Sequence, residues 1–200
     1  MSFNTYSTEI CDKEEIIHKD NKANEKIRDN LLKTYKDRLD SHQLQHHNFC
    51  SNGHCNGNLA KPRKKMPQIN NEKHRTIFLQ LLKEHQIEKT EELIDMSRVN
   101  AHPPTILPIQ NEINIEKIEE ICQKYIFLPT VNPVIMVGSK QEDLLYILDG
   151  HHTVYANAAC SCGDTRRSVW ILSKPNVSPK ELVDQVFTIL HEEPTLFPSL

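Results

Sequence analysis

Four short apolar runs, each bounded by turn residues, constrain this chain more than anything else in it. They are TILPI at 105–109, PVIMV at 133–137, LLYIL at 144–148 and SVWIL at 168–172. Runs of four to six apolar residues without polar alternation are the pattern of strands covered on both faces. Helical periodicity fills the gaps between them. Asn114 to Tyr125 turns Ile115, Ile118, Ile121 and Cys122 to one side, a helix is expected from His152 to about Cys160, and Pro179 to His191 closes the series. The segment GSKQED reads as a hairpin between the second and third strands. The expectation is a mixed α+β core built from about the last hundred residues.

Upstream of that core, HRTIFLQLLKEH is a strongly apolar helix. KTEELIDM, with Thr90 as an N-cap ahead of Glu91 and Glu92, predicts a second one. The two helices are expected to cover one side of the sheet. Before residue 72 the chain is rich in Asn, Lys, Glu and His. Its one periodic stretch, Lys22 to Leu39, carries a narrow apolar stripe of Ile27, Leu31, Tyr35 and Leu39, which suits docking on a protein partner. Residues 41–72 carry Gly, Asn and Pro throughout and read as a linker. The expected division is therefore a helical, partly disordered extension over 1–72 and a folded domain over 73–200, with its core at about 102–175. Two hundred residues allow one compact domain plus such an extension.

The bulk numbers exclude some functions. A net charge of -3 gives no field that would recruit a polyanion, so nucleic acid is not an expected partner. KPRKK at Lys61 to Lys65 is the one basic cluster, and it reads as a solvated linker run. No apolar run reaches the roughly 18 residues of a membrane span, and the first residues hold no signal-peptide core, so a soluble, cytoplasmic chain is expected. Six cysteines in that setting imply reduced thiols. His42, His46, His47, Cys50, His54 and Cys55 crowd the linker, but without C-x2-C spacing. A flexible His-rich segment is favoured there over a zinc site, with Cys160 buried on the last turn of its helix. The tail HEEPTLFPSL has glutamates beside a small apolar end, a loose likeness to the secretion signals of translocated bacterial effectors.

Chemistry concentrates in ILDGHHTVYANAA, Ile147 to Ala159. Asp149 and Gly150 end a strand, and Gly150 permits a turn that a side chain would obstruct. The amides of His151, His152 and Thr153 then open a helix. Such a terminus suits a phosphate, with the two imidazoles and the Thr153 hydroxyl as further contacts. The plainer reading is a tight turn, a capping threonine and two surface histidines.

The order of elements around that turn resembles the ParB/sulfiredoxin superfamily over roughly residues 102 to 175. It is most similar to ParB-like proteins described as nucleases that carry a DGHHT signature, and to the free serine kinases, which carry a related DGHH element. Sulfiredoxins place a catalytic cysteine where this chain has His151, so that chemistry is not expected. Partition-type ParB proteins continue into a helix-turn-helix domain, whereas about 25 residues follow the last strand here. The kinase-like branch uses a glutamate after the first strand as base, and Glu112 stands at about that place. Where the serine kinases carry an arginine after the histidines, this chain has Thr153, so Arg166 or Arg167 would have to supply the positive charge.

The resemblance implies a nucleotide-phosphate-binding domain, ATP or ADP with Mg²⁺ or alternatively CTP, acting as a phosphotransferase or nucleotide hydrolase on a small-molecule or protein hydroxyl acceptor. In that reading Glu112 is the base, Asp149 and His152 take part in catalysis, and Gly150, His151, His152, Thr153 and Arg166 hold phosphates. A phosphate-binding module without catalysis is the alternative from another class. A nuclease is a third, against which the acidic net charge argues.

Overall fold

The structure is a computed structural model that describes residues 39–40, 43–45, 61, 63–101, 105–110, 112–114, 117–118, 120–121, 132–139, 143–160 and 165–197. Its strands are β1 (Leu39–Asp40), β2 (Gln43–Gln45), β3 (Glu88–Asp95), β4 (Ile106–Pro108), β5 (Glu112–Asn114), β6 (Val134–Ser139), β7 (Leu144–Asp149) and β8 (Arg166–Ser173). Its α-helices are α1 (Glu72–Glu84), α2 (His151–Cys160) and α3 (Pro179–Leu190).

Five strands form one mixed sheet in the order β3-β8-β6-β7-β4. β3 runs antiparallel to β8, β8 parallel to β6, β6 antiparallel to β7, and β7 parallel to β4. Side chains alternate across it with the period of two that a pleated strand imposes. Ile106, Val134, Met136, Leu145, Ile147, Val169 and Ile171 pack on one face with Val154 and Tyr155 of α2 and with Ile118. Leu107, Ile135, Val137, Tyr146, Leu148 and Leu172 pack on the other face against Phe78, Leu81 and Leu82 of α1 and Leu182, Val183, Val186 and Phe187 of α3. Helices cover both faces, which is why the central strands read as continuous apolar runs. Each fully buried side chain of this size contributes about 1.5–3 kcal/mol. The expected α+β class is the class observed.

Local signals place the helices well. Asn71 caps α1 by accepting the His74 amide at 2.8 Å. Ser178 caps α3 through the Glu181 amide, with Pro179 in the first turn where its missing N–H is harmless.

The stretch expected to be a second helix, KTEELIDM, is a strand instead. All eight residues of β3 pair with β8, and Lys89 lies over the Trp170 ring at 4.6 Å. A full antiparallel ladder outweighs the few tenths of a kcal/mol per residue by which Glu and Leu favour a helix. The N-cap in this region is Asp95, which accepts the Ser97 amide and starts a 3₁₀ turn over Met96–Asn100. Asn114 ends a strand and accepts the Lys117 amide at 2.9 Å, so the helical residues 117–118 and 120–121 come after it. Ile118 is buried and Ile121 packs on the core as expected, whereas Ile115 and Cys122 lie outside the described residues.

The boundary expected at 72 cuts through a segment that belongs to the core. Met66 and Ile69 are buried, Lys61 bridges to Gln110, and the Gln68 amide donates to the Leu196 carbonyl at 2.7 Å. Lys61 and residues 63–71 therefore strap across the folded domain, with Lys61 Nζ over the Phe187 ring. β1, β2 and β5 form a separate three-stranded sheet in that order, so Leu39 is a strand residue and not the end of a helix. The rest of the expected helix at 22–39 and the Cys/His crowd at 42–55 lie outside the described residues.

Candidate functional site

β7 delivers Asp149 to the edge of the sheet, and Gly150 turns the chain into α2. Gly150 has φ +90°, and a Cβ there would stand 3.1 Å from Val134 Cγ2 and 3.3 Å from Val134 Cα on the neighbouring strand. Both the backbone angle and this close approach require glycine. The Val154 amide closes the first turn of α2 onto the Gly150 carbonyl at 3.0 Å, so the amides of His152 and Thr153 lie outside the helix's own ladder.

A cavity of about 230 Å³ opens in front of this turn. Its walls are the turn itself (Asp149 to Thr153), the strap (Arg63, Met66, Pro67, Gln68 and Asn70), Gln110, the helical residues Lys117 and Ile121, and Asn132 to Val134. Two cations, Arg63 and Lys117, face it together with one carboxylate, Asp149. Partial desolvation and the positive Arg63 hold the Lys117 ammonium below the usual lysine range.

Asp149 is held at both oxygens. Oδ2 accepts the Ile69 amide of the strap and Oδ1 accepts the Gly150 amide, each at 2.8 Å. Burial raises its carboxyl pKa from 3.8 to about 6, against the pull of the two amides and of Lys117. A carboxyl titrating there changes charge near neutral pH, as an acid–base group must.

The histidines are inside, not on the surface. His151 Nε2 accepts the amides of Ile109 and Gln110 at 3.3 and 3.1 Å. His152 Nε2 accepts the Asn114 amide at 3.2 Å. Burial, then Arg63 and Lys117, push the His152 pKa down to about 3, so it is neutral at any physiological pH. The two rings hold the backbone amides of Ile109, Gln110 and Asn114 against the start of α2, and Glu112 opens the strand that Asn114 ends. β5 pairs antiparallel with β2, placing Glu112 opposite Gln45 in register.

Of the residues singled out in the sequence, Asp149, Gly150, His151, His152 and Thr153 line the cavity. Arg166 does not. It begins β8, exposed and in register with Asp95, while Arg167 donates from Nε to Asn157 Oδ1 behind α2. The positive charge comes from Arg63, inside the KPRKK run expected to be solvated linker, and from Lys117. The basic cluster was visible, but nothing in its spacing said that one arginine turns inward. Lys117 is one of many lysines on amphipathic stretches and carries no signal of its own.

Among the described residues no group of three or more His, Cys, Asp or Glu side chains is gathered as a metal site, and no helix is long and apolar enough to cross a membrane. No protein-family model, curated protein or solved structure matches the chain.

Proposed function

We propose that this is a ParB/sulfiredoxin-like domain that binds the phosphates of a nucleotide in the Asp149–Thr153 cavity and transfers or hydrolyses a phosphoryl group. The observation that carries the reading is the convergence of Arg63, Lys117 and the α2 N-terminus on one cavity. Anions gain there from backbone donors, from the helix dipole and from two fixed charges together. At about 230 Å³ the cavity falls below the roughly 300–1,000 Å³ that encloses a drug-sized ligand, so it suits the phosphoryl end of a nucleotide, with base and sugar directed outward.

In this reading the amides of His152 and Thr153 and the two cations hold phosphate oxygens. Asp149 exchanges a proton close to neutral pH, and Glu112 takes the proton of an acceptor hydroxyl. Mg²⁺ is commonly bound by one or two carboxylates together with the substrate's phosphates. Asp149 fits that mode, and the ion would neutralise charge on the phosphates it accompanies. A second reading, a binding module without turnover, is favoured by the use of both imidazoles as buried acceptors for backbone amides, which removes them from acid–base work.

Thermal-shift titration with ADP, ATP, CTP and GTP, with and without Mg²⁺, tests binding. A ligand at 100 times its dissociation constant stabilises by about 2.7 kcal/mol. Phosphate release or transfer by the wild type then separates enzyme from module. The Glu112→Gln chain is expected to keep nucleotide affinity and lose roughly 10²- to 10⁴-fold in kcat. Binding of none of the four nucleotides refutes the reading.

A further inference from the structure

Lys117 is the one amine on the wall of the cavity. Asn114 accepts its backbone amide at 2.9 Å, and Ile118 beside it is buried in the core, so the backbone that carries it is pinned. Lys117 and Ile121 both line the cavity, four residues apart as two positions on one helix face are. The ammonium feels the charges of Arg63 on the strap and Asp149 at the turn, two groups on the same cavity, so the amine is turned toward that space. Among the described residues no hydrogen bond or ion pair ties it down. Desolvation, and Arg63 after it, hold the ammonium below the usual lysine range against the opposite pull of Glu120 and Asp149. A lysine that is desolvated or set beside a second cation is an activated nucleophile.

We propose that the cavity takes short phosphorylated aldehydes, and that Lys117 joins their carbonyl carbon in a reversible imine while the anion site holds the phosphate. The inference rests on the phosphate reading of the same cavity and adds a covalent anchor to it. A space of about 230 Å³, which admits only the phosphoryl end of a nucleotide, encloses a short phosphorylated aldehyde whole. The step is a dehydration. The ammonium releases one proton, the free amine attacks the carbonyl carbon, and the C–N bond forms as the C=O π pair moves to oxygen. A second proton passes from nitrogen to that oxygen, and the proton released first joins it as water leaves. The product is a protonated imine, and no oxidant or reductant takes part.

Pyridoxal 5′-phosphate, a phosphorylated aldehyde whose imines absorb visible light, tests this on the full chain. Borohydride fixes any imine as a stable amine, and peptide mass spectrometry then locates it. Lys64 and Lys65, exposed on the strap next to Arg63, serve as internal controls. Lys117 is expected to react at least about tenfold faster than either, because an anchored phosphate makes the attack effectively intramolecular. Inorganic phosphate is expected to slow Lys117 alone, and pyridoxal, which lacks the phosphate, to show no preference for it. A Lys117→Arg chain, folded by circular dichroism, should lose the fast visible band. Thermal shift of the wild type with inorganic phosphate and with ADP reads the anion site independently of the amine. Stabilisation by either anion together with even labelling of Lys64, Lys65 and Lys117 overturns the imine and leaves the phosphate reading standing. Labelling of Lys117 by pyridoxal as fast as by its phosphate ester overturns the ligand class, since the amine would then act without the anion site. Neither stabilisation nor preference removes both readings.

Discussion

Replacing Asp149 by asparagine is expected to stabilise the protein increasingly as pH rises from 4 to 7.5, relative to wild type. The native carboxyl has its pKa raised from 3.8 to about 6. Between those values the folded state holds a proton that the unfolded state has released, so stability falls as pH climbs through the window. At 1.36 kcal/mol per unit, charging this group costs the folded state about 3 kcal/mol, fully expressed above pH 6 and absent below the unfolded pKa. Asparagine cannot accept from both the Ile69 and Gly150 amides with its one carbonyl, which is a fixed loss at every pH. The informative quantity is therefore the change with pH of the difference between the two proteins, not its absolute value. Urea denaturation of both chains at half-unit steps measures it, and other titrating groups cancel in the subtraction. A difference that stays flat within 0.5 kcal/mol, or one that moves in favour of wild type with rising pH, would show that the Asp149 carboxyl is not desolvated in the native state.

Two further outcomes follow from the same walls. Gly150→Ala should destabilise by about 1–3 kcal/mol through its positive φ and its approach to Val134, and should weaken ADP binding; denaturation and calorimetry check this, and wild-type values for both would contradict the turn geometry. A chain starting at Asn70, expected from composition alone to be self-sufficient, should instead melt well below one starting at Lys61 and lose ADP affinity. It lacks buried Met66 and Ile69, worth about 1.5–3 kcal/mol each, together with the Asp149 partner and Arg63, and equal melting temperatures for the two chains would refute the account.

The central strands, α1, α3 and the strand–turn–helix at 149–151 were readable because local and tertiary preferences agree there. Apolar runs met a sheet covered on both faces, and the apolar periodicity of 74–85 and 179–191 met real helices, which the structure shows capped by Asn71 and Ser178. β3 is not legible in the sequence, because its helix-like residues sit on an edge strand whose outward positions, such as Leu93 at 62% exposure, face solvent and weaken the alternation. The site was half visible. A Gly turn into a helix advertises backbone amides, but which cation faces them depends on where a distant segment crosses, and Arg63 reaches the cavity only because Met66 and Ile69 pin the strap. The buried histidines are legible only in three dimensions, since their acceptors' partners lie about 40 residues earlier.

The strap also sets when the site can exist. Its amides reach Asp149 across 80 positions and Leu196 across 128, so its seating is among the most non-local events in the chain. Non-local closures carry their entropy cost before any contact rewards it and form late. A growing polypeptide carries the strap long before the DGHHT turn it faces, and the strap is fully seated only when Asp149 has accepted the Ile69 amide and Leu196 is free to receive the Gln68 amide. Synthesis thus delivers the cavity last, and proteolysis just ahead of Leu196 would release the strap from the far end of the chain.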